Sequence, residues 1–264
     1  ISAMYVHGNQ DHFDALKPQI KRLVMEPNLL LVKEGPNLDL HHFETLAICV
    51  LKSENENPDV AVHLTQEILK LCQKQRFPHH LDHLISAFIP ELLKQYPKPV
   101  WKLISDAILT SDGLTSIHLE RFLGKESFDE KKDVKGPLFI LTDSTLLQWC
   151  RENSPKAPVF IARIAPLLTP SGRGGKKWTS LVQKLIDEFG NCKKVLGSLE
   201  SNMLSFGSWG SRVPYYERYI EPLKSLQTHR HSLVRKFAQD MLRQLNNFIK
   251  DEHRRDEERD LGIY

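Results

Sequence analysis

Apolar residues recur at spacings of three and four along nearly the whole chain, as in Leu64, Ile68, Leu71 and Cys72, whereas sustained two-residue alternation is hard to find. A repeat near 3.6 lines such residues along one face of a helix, so the class is all-α. The pattern predicts helices over about 10–24, 38–52, 58–75, 79–95, 98–110, 114–123, 143–152, 156–168, 178–189, 192–204, 213–227 and 231–256. The best strand candidate, Pro137 to Leu141, is too short and too isolated to imply a sheet.

Four helices carry a proline inside an apolar repeat: Pro18, Pro90, Pro166 and Pro222. A proline there removes a backbone bond and crowds the preceding turn, so each of these helices is expected to bend. Recurring bends suggest a repeated unit, and their uneven spacing makes the repeats degenerate. The polar run between Gly124 and Gly136 divides the chain into amino-terminal helices over 1–124, a linker over 125–136 and a carboxyl-terminal set over 137–264. Thr169 to Lys177 is a second break, rich in glycine and basic residues, and it is expected to be a loop. Beyond Phe248, Lys250 to Asp260 mix both signs densely, which predicts a terminal helix laced with ion pairs and protruding from the last repeat.

Composition narrows the class without identifying a role. The chain has 264 residues, 41% of them apolar, enough for a continuous core. Its formal charge is +3, from 36 basic against 33 acidic residues, so any basic function must be local. No run approaches the roughly 18–20 apolar residues that span a bilayer, and the amino end has no signal pattern. The expectation is a cytoplasmic protein with no membrane association, and the start at Ile1 hints at a piece of something longer. Cys49, Cys72, Cys150 and Cys192 are scattered with no Cys-x-x-Cys pair, so they read as small core residues in a reducing compartment.

The span from Tyr219 to Leu245 places Pro222, Leu223 and Leu226 on a first helix and Val234, Arg235, Ala238, Leu242 and Leu245 on a second. In that order it resembles a HEAT repeat. The resemblance implies a right-handed α-solenoid of stacked, degenerate HEAT-like helical hairpins, with Val234 and Ala238 in the core and Arg235 bracing a neighbouring unit. From Trp149 onward, Trp178, Phe189-Gly190, Gly207 to Gly210, Tyr215 to Glu217 and the charged tail carry a wider likeness. This region is similar to the helical carboxyl-terminal part of large bacterial multidomain proteins, defence-type proteins with a nucleotide-handling or effector domain among them. The aromatic turn departs from that pattern at Gly210 and Ser211, and Arg230 and Ser232 stand where proline is frequent. The likeness implies a non-catalytic scaffold, interaction or sensor domain of a larger bacterial protein, with antiphage defence as one setting.

Candidate chemistry is sparse. Pro170 to Lys177 has the glycines and lysine of a phosphate loop, but Pro170 and Lys177 stand where a Walker loop needs glycine and Ser or Thr. It reads as a flexible basic loop, and Arg173, Lys176 and Lys177 with Lys193 and Lys194 make an alternative nucleic-acid patch with Trp178 as a stacking surface. His79 and His83 sit one helical turn apart without a third ligand, and His41-His42 reads likewise, so no metal and no cofactor is expected. Asp129 to Lys135 has nuclease-like carboxylate–lysine spacing in a polar linker that offers no strand to hold it. Asp187 or Glu188 near Trp178 is the only loose candidate for a glycosylase-type carboxylate. Trp209 is expected to plug the gap between two hairpins; the sharper reading makes Trp209, Tyr215 and Tyr216 a partner-binding edge. The partner would be another protein, another domain of the parent chain, or nucleic acid.

Overall fold

A computed structural model describes residues 10–27, 47–48, 50–51, 57–73, 82–124, 136–205 and 210–262. The chain divides into two compact units, Ile1–Glu126 with Lys135–Leu141, and Ser127–Val134 with Thr142–Tyr264. Among the described residues both are predominantly helical, and no helix is long and apolar enough to cross a membrane.

The first unit contains α1 (Gln10–Val24), α2 (Pro58–Cys72), α3 (Asp82–Gln95), α4 (Pro97–Thr110) and α5 (Gly113–Leu123). Proline opens both α2 and α4, where its fixed φ suits the first turn and its missing N–H is no loss. The apolar face of α2, with Val60, Leu64, Ile68 and Leu71 buried, packs mainly on α4 and also on α1, α3 and α5. A polar clip fixes the entry to α2. Asn57 donates from Nδ2 to the Val50 carbonyl (3.1 Å) and from its backbone N–H to the Tyr96 hydroxyl (3.0 Å), while Lys21 donates to Asn57 Oδ1 (3.0 Å). The strand candidate at Pro137 to Leu141 is instead a 3-10 helix over Pro137–Ile140, with Pro137 and Leu138 buried.

The second unit runs α6 (Asp143–Glu152), α7 (Lys156–Ile164), strands β1 (Leu168–Pro170) and β2 (Lys176–Trp178), α8 (Ser180–Phe189), α9 (Lys193–Leu204), α10 (Val213–Glu217), α11 (Ile220–Ser225) and α12 (Ser232–Asp260). Threonine starts two of the helices: Thr142 Oγ1 accepts the Thr145 N–H and Thr179 Oγ1 accepts the Val182 N–H, both at 3.3 Å. α7 packs most closely on α9, α6 on α7 and α8, and α12 on α10, α11 and α9. Two polar contacts give the direction of this packing. Asn202 near the end of α9 donates to the Ala162 and Ala165 carbonyls at the end of α7 (3.1 and 2.9 Å). Arg151 at the end of α6 makes two hydrogen bonds of 2.6 Å to Glu188 at the end of α8. The pair α6–α7 and the pair α8–α9 therefore lie side by side with like ends together.

Several expectations change. Pro166 does not bend a helix; it ends one, because the residue before a proline is driven out of the helical region and Ala165 is extended at ψ 143°. Pro222 lies in the first turn of α11, where it breaks no bond of the ladder. The single helix expected over 213–227 is two, α10 and α11, separated at Arg218 and Tyr219. The terminal helix carries the expected ion pairs, such as Asp251–Arg254 at 3.4 Å and Asp256–Arg259 at 3.2 Å. Beyond Phe248 it still touches the unit: Glu252 is 5% exposed, and its Oε1 accepts the Arg212 N–H at 3.2 Å.

Cys72 and Cys150 are buried, and burial pushes both thiols up to about 12, so they behave as small core residues. Cys192 is partly exposed. Cys49, the linker residues 125–135, His41-His42 and His79 lie outside the described residues, and of His83 only the backbone is described.

Candidate interaction surface

The basic segment expected as a loop is an antiparallel hairpin set between α7 and α8. Its register pairs Leu168 with Trp178, Thr169 with Lys177 and Pro170 with Lys176. The tip closes through a 2.8 Å bond from the Ser171 N–H to the Gly175 carbonyl, and Gly174 sits at φ +78°, a conformation that favours glycine. Three-residue strands are too short to show a two-residue repeat, so the sequence carried no strand signal there.

The base of the hairpin is held firmly. The Thr179 N–H donates to the Leu167 carbonyl at 3.0 Å, and its hydroxyl donates to the Pro166 carbonyl at 2.8 Å. Trp178 is 5% exposed; its Nε1–H donates to the Pro222 carbonyl at 2.9 Å, and its ring lies 6.5 Å from that of Tyr219. Trp178 is thus an anchor between β2 and α11, and it cannot offer the stacking surface the sequence suggested. The tip stands in solvent: Pro170, Gly172, Gly174, Gly175 and Lys177 are exposed and Lys176 is partly so. The Arg173 backbone belongs to the tip, and its side chain lies outside what is described.

Lys193 and Lys194 are exposed in the first turn of α9. They do not join the hairpin in one patch. The hairpin leaves from the carboxyl end of α7, which lies beside the carboxyl end of α9, so these lysines are at the far end of a helix about 18 Å long. Neither pairs with a carboxylate among the described residues, and the same holds for Lys177.

The aromatic group at the start of α10 is interior. Tyr215 and Tyr216 are 8% and 9% exposed, the Tyr216 ring lies 5.4 Å from Phe248 of α12, and the Arg218 guanidinium lies over both Tyr215 (5.3 Å) and Tyr219 (4.9 Å). These tyrosines pack the unit instead of standing out as partner anchors. Trp209 lies outside the described residues.

The carboxyl end of α8 is a hub. Asp187 Oδ1 accepts from Gln183 Nε2 at 3.0 Å and bonds His229 Nε2 at 3.1 Å, while the His231 N–H donates to His229 Nδ1 at 3.1 Å. Because Nδ1 accepts, the His229 proton is on Nε2 and faces the carboxylate. Arg230 donates to the Asp187 carbonyl at 2.6 Å, and Arg235 donates to the His229 and Arg230 carbonyls at 2.7 and 3.0 Å. Arg235 therefore clamps the turn leading into its own helix, and Arg230 reaches the neighbouring one, capping carbonyls that its dipole makes negative. Val234 and Ala238 are fully buried. The two Arg151 hydrogen bonds hold the Glu188 carboxyl below the usual carboxylate range, although a pair this exposed adds little to stability. Neither Asp187 nor Glu188 meets Trp178, which precedes the opposite end of α8. Among the described residues no three His, Cys, Asp or Glu side chains group as metal ligands.

No protein-family model matches the chain, and no curated protein or solved structure matches it. The distribution of charge within the second unit therefore bears more weight. Residues 142–249 contain 16 Lys and Arg against 8 Asp and Glu, and residues 250–264 of the same unit contain 4 against 6, so the stretch 142–264 has 20 basic against 14 acidic residues. Four of those acids, Asp187, Glu188, Glu221 and Asp240, are engaged by His229, Arg151, Lys224 and Arg243.

Proposed function

We propose that this chain is a non-catalytic α-solenoid of stacked, degenerate HEAT-like helical hairpins that offers its exterior to a protein partner or to another domain of a parent chain. The observation that carries the reading is the like-ended packing of α6–α7 beside α8–α9, through Asn202 on one row of helices and Arg151–Glu188 on the other. Such layering lets each helix pair bury its apolar stripe on the next and leaves an extended surface free, the economy of a repeat protein. The polar clusters of the second unit support the same reading, because their members are spent on capping and bracing. Asp187 serves the turn before α12, Glu188 the end of α6 and Glu252 the entry to α10.

The test is turnover. Purified chain incubated with nucleoside triphosphates, with single- and double-stranded nucleic acid and with ester substrates, each with magnesium or zinc, is expected to yield no product above the buffer control. Product formation that scales with protein and disappears on one polar-to-alanine substitution would overturn the reading.

A further inference from the structure

We propose that the tip of the β1–β2 hairpin, residues 171–177, is a contact site for the phosphodiester backbone of nucleic acid. The inference stands apart from the scaffold reading, since a hairpin can grip phosphate whether or not the helices it interrupts act as a scaffold.

Four observations converge. The anchoring contacts of the hairpin are at its base, at Trp178 and Thr179, while Gly172, Gly174, Gly175 and Lys177 before them are exposed. Gly172 is required neither by dihedral angle nor by space, because its φ is not in the left-handed region and a Cβ there would meet nothing within 4 Å. What glycine does supply at an exposed tip is bare backbone, whose amides can approach an anion closely. The tip is cationic, with Arg173, Lys176 and Lys177 within five residues, and Lys177 lacks a carboxylate partner among the described residues. Residues 142–249 around it carry 16 basic against 8 acidic residues, and the stretch 142–264, with its acidic tail, still has 20 against 14, a net positive field that attracts a polyanion.

The same facts separate nucleic acid from an acidic protein. Protein interfaces are anchored by half-exposed aromatic residues and are poor in lysine. Here the aromatic residue of the hairpin, Trp178, is buried, while the exposed surface is glycine and lysine. Backbone amides and lysine ammonium groups are the usual sequence-independent partners of phosphate oxygens.

Fluorescence anisotropy of the full chain with a labelled 20-nucleotide single strand and the matching duplex tests this, from about 50 to 200 mM salt, the range over which phosphate binding reveals itself. Binding is expected to weaken linearly on a logarithmic salt axis. Arg173→Ala with Lys177→Ala should reduce affinity about tenfold at the lowest salt and flatten the salt slope by about 2, one for each phosphate-binding cation removed. Gly172→Asp, which the open space around that residue accommodates, should weaken binding likewise while leaving the melting midpoint unchanged. Lys193→Ala with Lys194→Ala, at the other end of α9, should stay within about twofold, because binding at the tip does not involve them. The proposal is overturned by any of three results: no salt-dependent binding, equal weakening by the Arg173/Lys177 and Lys193/Lys194 double variants, or a poly-glutamate peptide binding as tightly as the oligonucleotide. Absence of binding would leave the turnover test untouched, and turnover would leave this one untouched.

Discussion

Replacing Trp178 with alanine is expected to destabilise the second unit by about 3–5 kcal/mol, the cost of emptying a large buried aromatic site. The indole is 5% exposed, lies beside Tyr219 and ties β2 to α11 through the Pro222 carbonyl, so three consequences arrive together. Apolar area returns to water, a cavity opens between hairpin and helix, and the hairpin loses its main anchor. Trp178→Phe separates packing from the hydrogen bond. Most of the ring area is kept, and the Pro222 carbonyl still accepts from the Ser225 hydroxyl at 2.7 Å. That variant should lose only about 1 kcal/mol, the ordinary net worth of one hydrogen bond. Urea unfolding followed by far-ultraviolet circular dichroism measures both. A loss below about 1 kcal/mol for the alanine variant would mean that Trp178 is not the anchor described.

Gly190→Ala is expected to cost about 2–4 kcal/mol, as overpacking at a rigid contact does. The reason is space, since φ at Gly190 is −67° and any residue adopts it. An added Cβ would run into the Ile186 carbonyl of its own helix and into Val234 Cγ2 of α12, and Val234 is fully buried with nowhere to retreat. Gly197 supplies the opposite case within the same unit. It is exposed inside α9, where an added methyl group would meet nothing within 4 Å. Gly197→Ala should therefore stabilise by about 0.5–1 kcal/mol through helix propensity and a less flexible unfolded chain. Gly190 closes the end of α8 and Gly197 lies inside α9, and the space around each decides the sign. If the two variants shifted the urea midpoint in the same direction, the close approach of α8 and α12 would be wrong.

Much of the helical layout was legible because apolar residues three and four apart are a direct imprint of helix geometry, as in α8, where Leu181, Val182, Leu185 and Ile186 are all buried. The hairpin was not legible. Its strands are too short for alternation to register, and the one buried residue they contribute, Trp178, reads equally well as the start of a helix. Proline misled at Pro166, where the apolar residues on both sides continue a helical pattern that the backbone abandons at Ala165. Tyr215 and Tyr216 were ambiguous for a different reason: whether an aromatic residue is buried depends on what folds over it, here α12, which is distant in sequence. The basic patch fails as a single surface because nearness along the chain is not nearness in space. One helix, α8, carries the chain from the hairpin to the opposite end before Lys193 and Lys194 appear.

Neighbouring helix pairs of the second unit stack with like ends together, and spin labels measure that arrangement most directly. Nitroxides at Lys156 and Lys193, each exposed at the first position of α7 and α9, should lie within about 20 Å, as adjacent parallel helices about 8–10 Å apart require once the label arms are added. Labels at Lys177 and Lys193 should be clearly farther apart, with the length of α9, about 18 Å, between the two ends before the label arms are counted. Dipolar broadening that is strong for the first pair and weak for the second is the predicted result. The reverse order, strong for Lys177–Lys193 and weak for Lys156–Lys193, would contradict the stacking on which the solenoid reading rests.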